Sequence, residues 1–336
     1  MSTNTIGYAT PGFVPGVPLN HPGTQQAVFA RRFKERLREK SILRLITNSQ
    51  YQGEFKHAGQ EVGIPVLPLI KTYKMKPGDK MQYQTPKSTL ETFYIGRERG
   101  FGLHLEDEDK VFARFDIEAP IMQEAMKQLD DDKEYEFFSD ILSKPTSVNS
   151  GNSAGFLTRD VHLGSIATPV MVTKTAAEAA TSTTGVTYKA AAPDYFVEAI
   201  GAMQQHPAGS DADFKIVCHT TVGTRLQTSE LRNADWTGDA QSIIRGNVKG
   251  IGKLNGSDVI VNNRLPIYKT TVNGVVVNCY PVLFIDKSAI SYIEEVAFRD
   301  TGMKDIDYWG TFNRNKIIYD WFILYPERFG VGFVIL

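Results

Sequence analysis

The feature that most constrains this chain is a long two-stranded pattern at residues 55–105 that carries many lysines and little apolar surface near its tip. Val62, Ile64 and Val66 alternate with other residues as in a β-strand, and a second alternating stretch follows. The sequence KPGD at 76–79 between them is a turn signal. Because an isolated two-stranded ribbon is marginally stable in water, we expect this hairpin to be held by another molecule.

Charged residues in three clusters are the candidate contact residues. They are the hairpin lysines, the basic face of a helix predicted at 24–47, and an acidic block that precedes a second, longer helix. The basic helix could pair with acidic neighbours, lie near nucleic acid, or simply present a solvated face. The acidic block could complement a helix dipole or meet a basic partner. The candidate residues are Arg31, Arg32, Arg36, Lys71, Lys74, Lys76, Lys80, Glu106, Asp107, Glu108 and Asp109.

Two further segments are poor candidates for a compact monomer. Residues 1–23 are rich in Pro and Gly with scattered apolar side chains, which predicts an extended arm, with a disordered tail as the alternative. Residues 145–192 are dominated by Ser, Thr, Ala, Asn and Gly, which predicts a mobile insertion or a surface stretch that orders on assembly. The arm, the hairpin and the insertion each expose more backbone or apolar surface than is expected of a monomer. Burial between copies of the chain in a closed symmetric assembly would cover that surface.

The remaining chain has a mixed α/β pattern. A long helix is predicted from about 116 to 143, and its start is set by Pro120, which is tolerated only in a first turn. The run Asp130–Asp132 lies in mid-helix and is expected on a solvated face or at a subunit contact. The later predicted elements are a helix carrying Phe196, Ala199, Ile200 and Met203, a strand at 213–218, a helix at 221–232, strands at 259–261 and from 274–277 on to 283–285, a helix at 288–296, and apolar strands over the last thirty residues.

Composition argues against several classes of protein. The chain has 37 Lys and Arg against 38 Asp and Glu, a formal net charge of -1. This disfavours a free nucleic-acid binder, which usually shows a basic excess. No apolar run approaches the roughly 18 residues that would suggest a membrane span. Cys218 and Cys279 each lie in an apolar run and are expected to be buried free thiols in a reducing compartment.

No motif predicts catalysis or cofactor binding. The Gly-rich stretch 246–256 does not fit a dinucleotide site, because its third glycine is one place too far along and a strand follows instead of a helix. A turn joining two sheet strands is the simpler interpretation. The six histidines are scattered, and none has metal-ligand spacing. We therefore predict a protein without enzymatic activity, cofactor or metal.

The order of elements and four motifs resemble the capsid proteins of tailed bacteriophages with the Hong Kong 97-type fold. In that family the parts are called N-arm, E-loop, spine helix, A-domain and P-domain. Gly53, Glu54, Lys56 and Gly59 stand where a helix gives way to the E-loop. The other motifs are the Gly-rich turn and strand that end in NRLP at 263–266, the strand-then-helix unit VLFIDKSAISYIEEV at 282–296, and the closing strand ERFGVGFVIL at 327–336.

The resemblance implies an α+β fold divided along the chain. The implied parts are an N-arm and basic helix at 1–54, an E-loop hairpin at 55–105, a P-domain with spine helix and Ser/Thr/Ala-rich insertion at 106–192, an A-domain at 193–300, and a C-terminal P-domain strand at 301–336.

The resemblance also implies a function. It implies a major capsid protein that self-assembles as hexamers and pentamers into an icosahedral shell around double-stranded DNA. Implied partners are further copies of the chain, a separate scaffolding protein, a portal, decoration proteins and the packaged DNA, with no membrane. The implied location is the virion capsid, assembled in the bacterial cytoplasm. Alternatives are an encapsulin-like compartment, against which the arm at 1–23 counts, an α/β enzyme with an unrecognised site, and a DNA-binding protein.

Overall fold

A computed structural model describes residues 41–51, 61–67, 70–76, 78, 80, 83–85, 87–105, 118–182, 185–229, 250–254, 256–303 and 309–336. Its helices are α1 (Leu43–Ile46), α2 (Glu118–Ile141), α3 (Ala176–Thr181), α4 (Ala192–Gln204) and α5 (Thr220–Gln227). Its strands are β1 (Glu61–Val66), β2 (Thr89–Tyr94), β3 (Arg97–Leu105), β4 (Val170–Thr173), β5 (Lys189–Ala191), β6 (Phe214–Cys218), β7 (Gly250–Leu254), β8 (Ser257–Val261), β9 (Tyr268–Val272), β10 (Val275–Asp286), β11 (Ile290–Met303), β12 (Thr311–Ile323) and β13 (Phe329–Ile335).

The largest sheet has eight strands in the order β5-β4-β13-β10-β6-β8-β7, with β9 paired to β10. The strand β13 pairs antiparallel with β10 and parallel with β4, and all seven of its residues are buried. The apolar side of α4 packs with this sheet, where Phe196 and Phe284 share one buried cluster. Gly332 permits this packing, because a Cβ there would lie 2.0 Å from the hydroxyl of Tyr195, which donates a hydrogen bond to the carbonyl of Leu163.

A second sheet has three strands in the order β11-β12-β3, all antiparallel. The long helix α2 packs with it through aromatic contacts, since the rings of Phe137 and Trp321 lie 5.3 Å apart in an edge-on arrangement. Phe137, Ile141 and Tyr319 are fully buried in the same cluster. A helix and an antiparallel sheet therefore form one layer pair beside the larger sheet.

Two predictions from sequence were wrong. Residues 288–296 do not form a helix, because Ile290–Met303 is the strand β11 paired with β12. Ser291, Tyr292 and Ile293 are all buried, so both faces of this strand are covered and the sequence lacks the alternation that identifies a strand. The VLFIDKSAISYIEEV motif is therefore strand followed by strand.

The described part of 145–192, predicted as a mobile insertion or as a surface stretch that orders on assembly, is instead paired within the single chain. It supplies β4 and β5 to the larger sheet and makes short bridges, including Ser150 with Val331. The side-chain Nδ2 of Asn149 donates to the backbone carbonyls of Pro326, Glu327 and Phe329 at 3.0–3.1 Å. Small polar side chains here satisfy buried backbone groups, a role that composition alone does not reveal.

Most other predicted elements are confirmed where the structure describes them. The predicted helix at 116–143 contains α2, the stripe from Phe196 to Met203 lies on α4, and the strands at 213–218, 259–261 and 274–285 correspond to β6, β8 and β10. The apolar C-terminus forms β12 and β13. The Gly-rich stretch ends in a β7–β8 hairpin, with Gly256 at a positive φ of 82°. The helix predicted at 221–232 begins as α5 at Thr220, and the described helix ends at Gln227.

Other predictions fall partly or wholly outside the described residues. These are the arm at 1–23, most of the helix at 24–47, of which the described part contains α1, and the acidic block at 106–109. The five-part division of the chain stays a prediction. Strand pairing crosses its boundaries, because β4, β5 and β13 share a sheet with β6, β8 and β10, and β11 runs through residue 300.

Candidate subunit interface

The hairpin predicted at 55–105 is present in part, as an antiparallel ribbon of β1 and β2 in the register Glu61 to Tyr94 through Val66 to Thr89. The predicted end was wrong, because residues 97–105 form β3 of the three-stranded sheet. The base of the ribbon is tied to the three-stranded sheet, because the ring of Phe93 stacks on Phe322 with centroids 4.1 Å apart. This anchoring holds the ribbon on the body at one end.

Beyond its base, the hairpin exposes much apolar surface. Leu67 and Tyr83 are 89% and 90% exposed. The other exposed large apolar residues of the hairpin are Val66, Ile70, Tyr73, Met75, Leu90 and Tyr94. Single exposed apolar residues are ordinary on a protein surface, whereas a contiguous set marks an interaction site. The described part of the hairpin, from β1 through the segment between the strands to β2, is therefore the leading candidate for a contact surface.

The four predicted contact lysines of the hairpin, Lys71, Lys74, Lys76 and Lys80, are all exposed on this same segment. The backbone around Lys71 is ordered by Gln84, whose Oε1 accepts from the Lys71 amide at 3.1 Å and whose Nε2 donates to the Lys71 carbonyl at 2.5 Å. The hairpin thus combines apolar groups with positive charge. The remaining candidates, Arg31, Arg32, Arg36, Glu106, Asp107, Glu108 and Asp109, lie outside the described residues.

An ion-pair network, which the sequence did not reveal, fixes the β3 edge of the three-stranded sheet to α2. Glu136 accepts hydrogen bonds from Arg97 at 2.6 Å, from Arg99 at 3.1 Å and from the hydroxyl of Tyr319 at 2.6 Å. The Arg97 guanidinium also lies 4.0 Å from the centroid of the Trp321 ring. Alternating arginines in the sequence RER at 97–99 were the available signal, since alternation places both on one face of a strand.

The electrostatic consequence is a shift in carboxylate pKa values. Burial raises the pKa of Glu136, but the hydrogen bonds from Tyr319, Arg97 and Arg99 outweigh it and hold that pKa below its usual range. Burial likewise acts on Asp140, and the hydrogen bonds from Lys144 and Trp321 lower its pKa overall. Both carboxylates are therefore ionised at neutral pH, and both accept hydrogen bonds from donors of the same chain.

The carboxylates of Asp130–Asp132, predicted on a solvated face or at a subunit contact, pair with cations of the same chain. Asp130 pairs with Lys133 at 2.8 Å, and Asp132 pairs with Arg99 at 3.2 Å. Asp131 pairs with Arg264, the arginine of the NRLP motif. The side chains of Asp130 and Asp132 are also 52% and 42% exposed, so the run lies on a partly solvated face, and a subunit contact there stays a prediction.

A shallow depression of about 510 Å³ lies on the three-stranded sheet, where β3 and β12 run side by side. Gly100 and Gly102 lie opposite Lys316 and Arg314 in the antiparallel register. The missing glycine side chains leave the backbone of β3 accessible from this face. Lys316 pairs with Glu98 at 2.5 Å at this depression, so part of the charge around it is compensated within the chain.

The described residues contain no group of three or more His, Cys, Asp or Glu side chains that could hold a metal ion. Cys218 and Cys279 are free and buried, as predicted, and burial raises the pKa of each thiol to about 12. Neither thiol is therefore an activated nucleophile at neutral pH. Among the helices that the structure describes, none combines the length and apolar character required to cross a membrane.

The geometry defines the class of fold: a long helix on a three-stranded antiparallel sheet, a mixed sheet of eight strands, and an antiparallel ribbon that contacts the three-stranded sheet at its base. Comparison with known proteins gives the same result. No protein-family model and no curated protein matches the sequence. Solved structures do match, over nearly the full length of the chain.

Three of these structures illustrate the likeness, each with a TM-score of 0.59. A chain of Mycobacterium phage Che8 is 18% identical, with 97% of this chain and 98% of that chain covered. The capsid of cyanophage P-SCSP1u is 16% identical, with 93% and 92% covered. The mature capsid of bacteriophage PhiM1 is 15% identical, with 93% and 92% covered. The chain therefore has the α+β fold of phage capsid proteins, the Hong Kong 97-type fold.

Proposed function

We propose that this chain is a major capsid protein, a structural subunit that assembles with copies of itself into a closed shell. The observation that carries the proposal is the hairpin, whose exposed apolar residues and lysines lie mainly between β1 and β2, in a chain that has the fold of phage capsid proteins. Burying side chains such as Leu67 and Tyr83 in a neighbour would contribute roughly 1.5–3 kcal/mol each. Repeated around a symmetric shell, such contacts reinforce one another.

The finer form of the proposal follows from the resemblance noted in the sequence. The subunits would form hexamers and pentamers of an icosahedral shell that encloses double-stranded DNA. A separate scaffolding protein, a portal and decoration proteins would be partners, with DNA contacted non-specifically. The shell would be assembled in the bacterial cytoplasm and become the virion capsid. The function proposed is structural, with no catalytic role for any residue.

The test is the state of assembly of the purified full-length chain, alone and co-expressed with the products of neighbouring genes. Negative-stain electron microscopy and sedimentation should show uniform particles in the megadalton range. A discrete small oligomer under both conditions, with the hairpin protected within its own subunit, would contradict the proposal. Closed particles that carry a protein cargo and no DNA would instead favour an encapsulin-like compartment.

A pair of variants tests the hairpin itself. The double substitution Leu67→Ser and Tyr83→Ser removes apolar groups that are almost fully exposed, so the subunit should fold as before but fail to assemble. The matched control is Leu157→Ser with Tyr325→Ser, which removes similar side chains that are 72% and 51% exposed on other elements. Assembly lost equally in both double variants would show that the hairpin has no special role.

A further inference from the structure

The strand β3 lies at one edge of the three-stranded sheet, because the strand order is β11-β12-β3 and, among the described strands, β3 pairs with β12 alone. All nine of its residues, Arg97–Leu105, pair with β12 in one continuous antiparallel register. The opposite edge of the sheet is partly covered, since Asn48 forms a bridge with Ser291 of β11. The two edges of this sheet therefore differ.

The strand β3 has few of the features by which edge strands avoid pairing with another chain. Such features are a short strand, a bulge, and proline or charged residues, lysine above all. The sequence of β3, RERGFGLHL, contains neither proline nor lysine. Its two arginines are held on one face of the sheet by carboxylates of α2, Arg97 by Glu136 at 2.6 Å and Arg99 by Asp132 at 3.2 Å. A further strand can therefore be added at this edge.

The sequence of β3 is complementary to a second copy of itself in the antiparallel direction. Full overlap of two such strands places Phe101, the middle residue of the nine, opposite its own copy. The other opposing pairs in this register are Glu98 with His104, Gly100 with Gly102, Arg99 with Leu103 and Arg97 with Leu105. An acidic side chain faces one that can carry a positive charge, and no two like charges, which would be destabilising, stand directly opposite each other.

Both faces of β3 suit this pairing. Side chains alternate along a strand, so Glu98 and His104 lie on the same face, and both are exposed. On the other face, Phe101 is only partly buried where it packs against the core beneath α2. A copy of Phe101 directly opposite would cover more of its ring, and aromatic pairs across neighbouring strands stabilise a sheet.

We propose that the edge of β3 is an interface between two copies of this chain, which pair antiparallel with Phe101 opposite Phe101 and join their three-stranded sheets into one continuous sheet. Such a contact is isologous, because each copy presents the same strand and a two-fold axis relates the two. It is a different surface from the exposed hairpin. The pairing stands on the edge of a single chain, whereas its place in a closed shell rests on the proposed function.

The register is tested by a disulfide between copies in the full-length chain. The double variant Glu98→Cys, His104→Cys changes two exposed residues, so it should fold. On mild oxidation it should run as a covalent dimer on a non-reducing gel, because directly opposite residues lie within the Cα separation of a disulfide. A bond within one chain is impossible, since six residues of extended strand span about 20 Å. The native Cys218 and Cys279 are buried and should not take part.

The matched control is the double variant Glu98→Cys, Gly102→Cys, which carries two thiols on the same face but out of register. Position 102 tolerates a side chain, because a Cβ there has no heavy atom within 4 Å. In the proposed register residues 98 and 102 of the two copies are diagonal neighbours about 7–8 Å apart, beyond the reach of an unstrained disulfide. This variant should form no more dimer than either single cysteine variant.

Hydrogen–deuterium exchange of the wild-type chain gives a second measurement that needs no variant. Peptides covering β3 should exchange about tenfold more slowly in the self-associated state than in the unassembled chain, because amides at the edge gain hydrogen-bond partners. Slow exchange in both states would show that the edge is covered within the single chain, and it would overturn the proposal. Fast exchange in both states would overturn it equally.

The outcomes distinguish this interface from the shell. Covalent dimer in the in-register variant alone supports the pairing of β3, and equal dimer in both double variants, or in neither, overturns it. Closed particles of the wild type without the in-register cross-link leave the shell proposal standing and remove the β3 interface. Cross-linked dimers from a chain that forms no particles support the β3 interface and contradict the shell. A chain that neither cross-links nor forms particles contradicts both.

Discussion

The substitution Glu136→Gln removes the charge on which the contact between α2 and the three-stranded sheet depends. Three donors converge on this carboxylate, from Arg97, Arg99 and Tyr319. A hydrogen bond that involves a charged group contributes about 1.5–3 kcal/mol when buried. The side chains of Arg97 and Arg99 are 30% and 39% exposed, so solvent screening reduces each contribution. We expect a net loss of about 2–3 kcal/mol in the free energy of unfolding.

The assay is thermal and denaturant unfolding of samples that sedimentation shows to be unassembled, so that self-association does not add to the measured stability. The matched control is Glu98→Gln. Glu98 lies on β3 between Arg97 and Arg99, and its side chain points to the opposite face of that strand. Glu98 pairs with Lys316 at 2.5 Å, but both side chains are at least 40% exposed, so its loss should cost under about 1 kcal/mol. If the two glutamine variants lose the same stability, the three converging donors do not act as described.

Three further predictions follow from named contacts. The pKa of Glu136 lies below its ordinary value of 4.5, so wild type and Glu136→Gln should differ most in stability above pH 4.5, and the difference should shrink as the pH falls through the lowered pKa. Unfolding curves measured at a series of acidic pH values would show this, and a difference that does not depend on pH would contradict it. Cys218 and Cys279 should resist a thiol reagent in the folded chain and react fully in denaturant, and fast labelling of either in the folded chain would refute their burial. Gly332→Ala should lower the free energy of unfolding by about 3 kcal/mol or prevent folding, because its Cβ would lie 2.0 Å from the Tyr195 hydroxyl and 2.9 Å from the Leu163 carbonyl oxygen. Gly102→Ala is the control in the same thermal unfolding assay: its Cβ would have no heavy atom within 4 Å, so this variant should fold normally.

Two elements that the sequence predicted correctly gave different signals. The stripe of α4 repeats at helical spacing, and the C-terminal strand is an apolar run with glycines in it. The strand β11 was wrongly predicted as a helix, because it is covered on both faces and its buried residues follow one another without alternation. Tertiary pairing with β12 decided its structure, and a local pattern carries no information about such a partner.

The insertion at 145–192 illustrates a second limit. Its small polar residues suggested a loop because such residues are typical of loops. In the structure, Asn149 is buried and its side-chain amide donates to three carbonyls of the chain that leads into β13. Composition records the residue type, whereas the acceptors lie about 180 residues away in sequence. Hydrogen bonds over that separation cannot be read from the residues around Asn149.

The candidate interface was predictable in part, and the reason lies in where the chain places its cations. Arg97, Arg99 and Arg264 bind carboxylates of the same chain in fixed geometries. The planar guanidinium suits such fixed contacts, because it presents several donors in a rigid fork. The hairpin lysines are flexible point charges that remain exposed on the ribbon. Lysines of the body also pair with carboxylates, as Lys133 does with Glu294 and Lys316 with Glu98. The hairpin lysines differ from these in their position, because they lie at the surface of the segment that exposes Leu67, Tyr83 and other large apolar side chains.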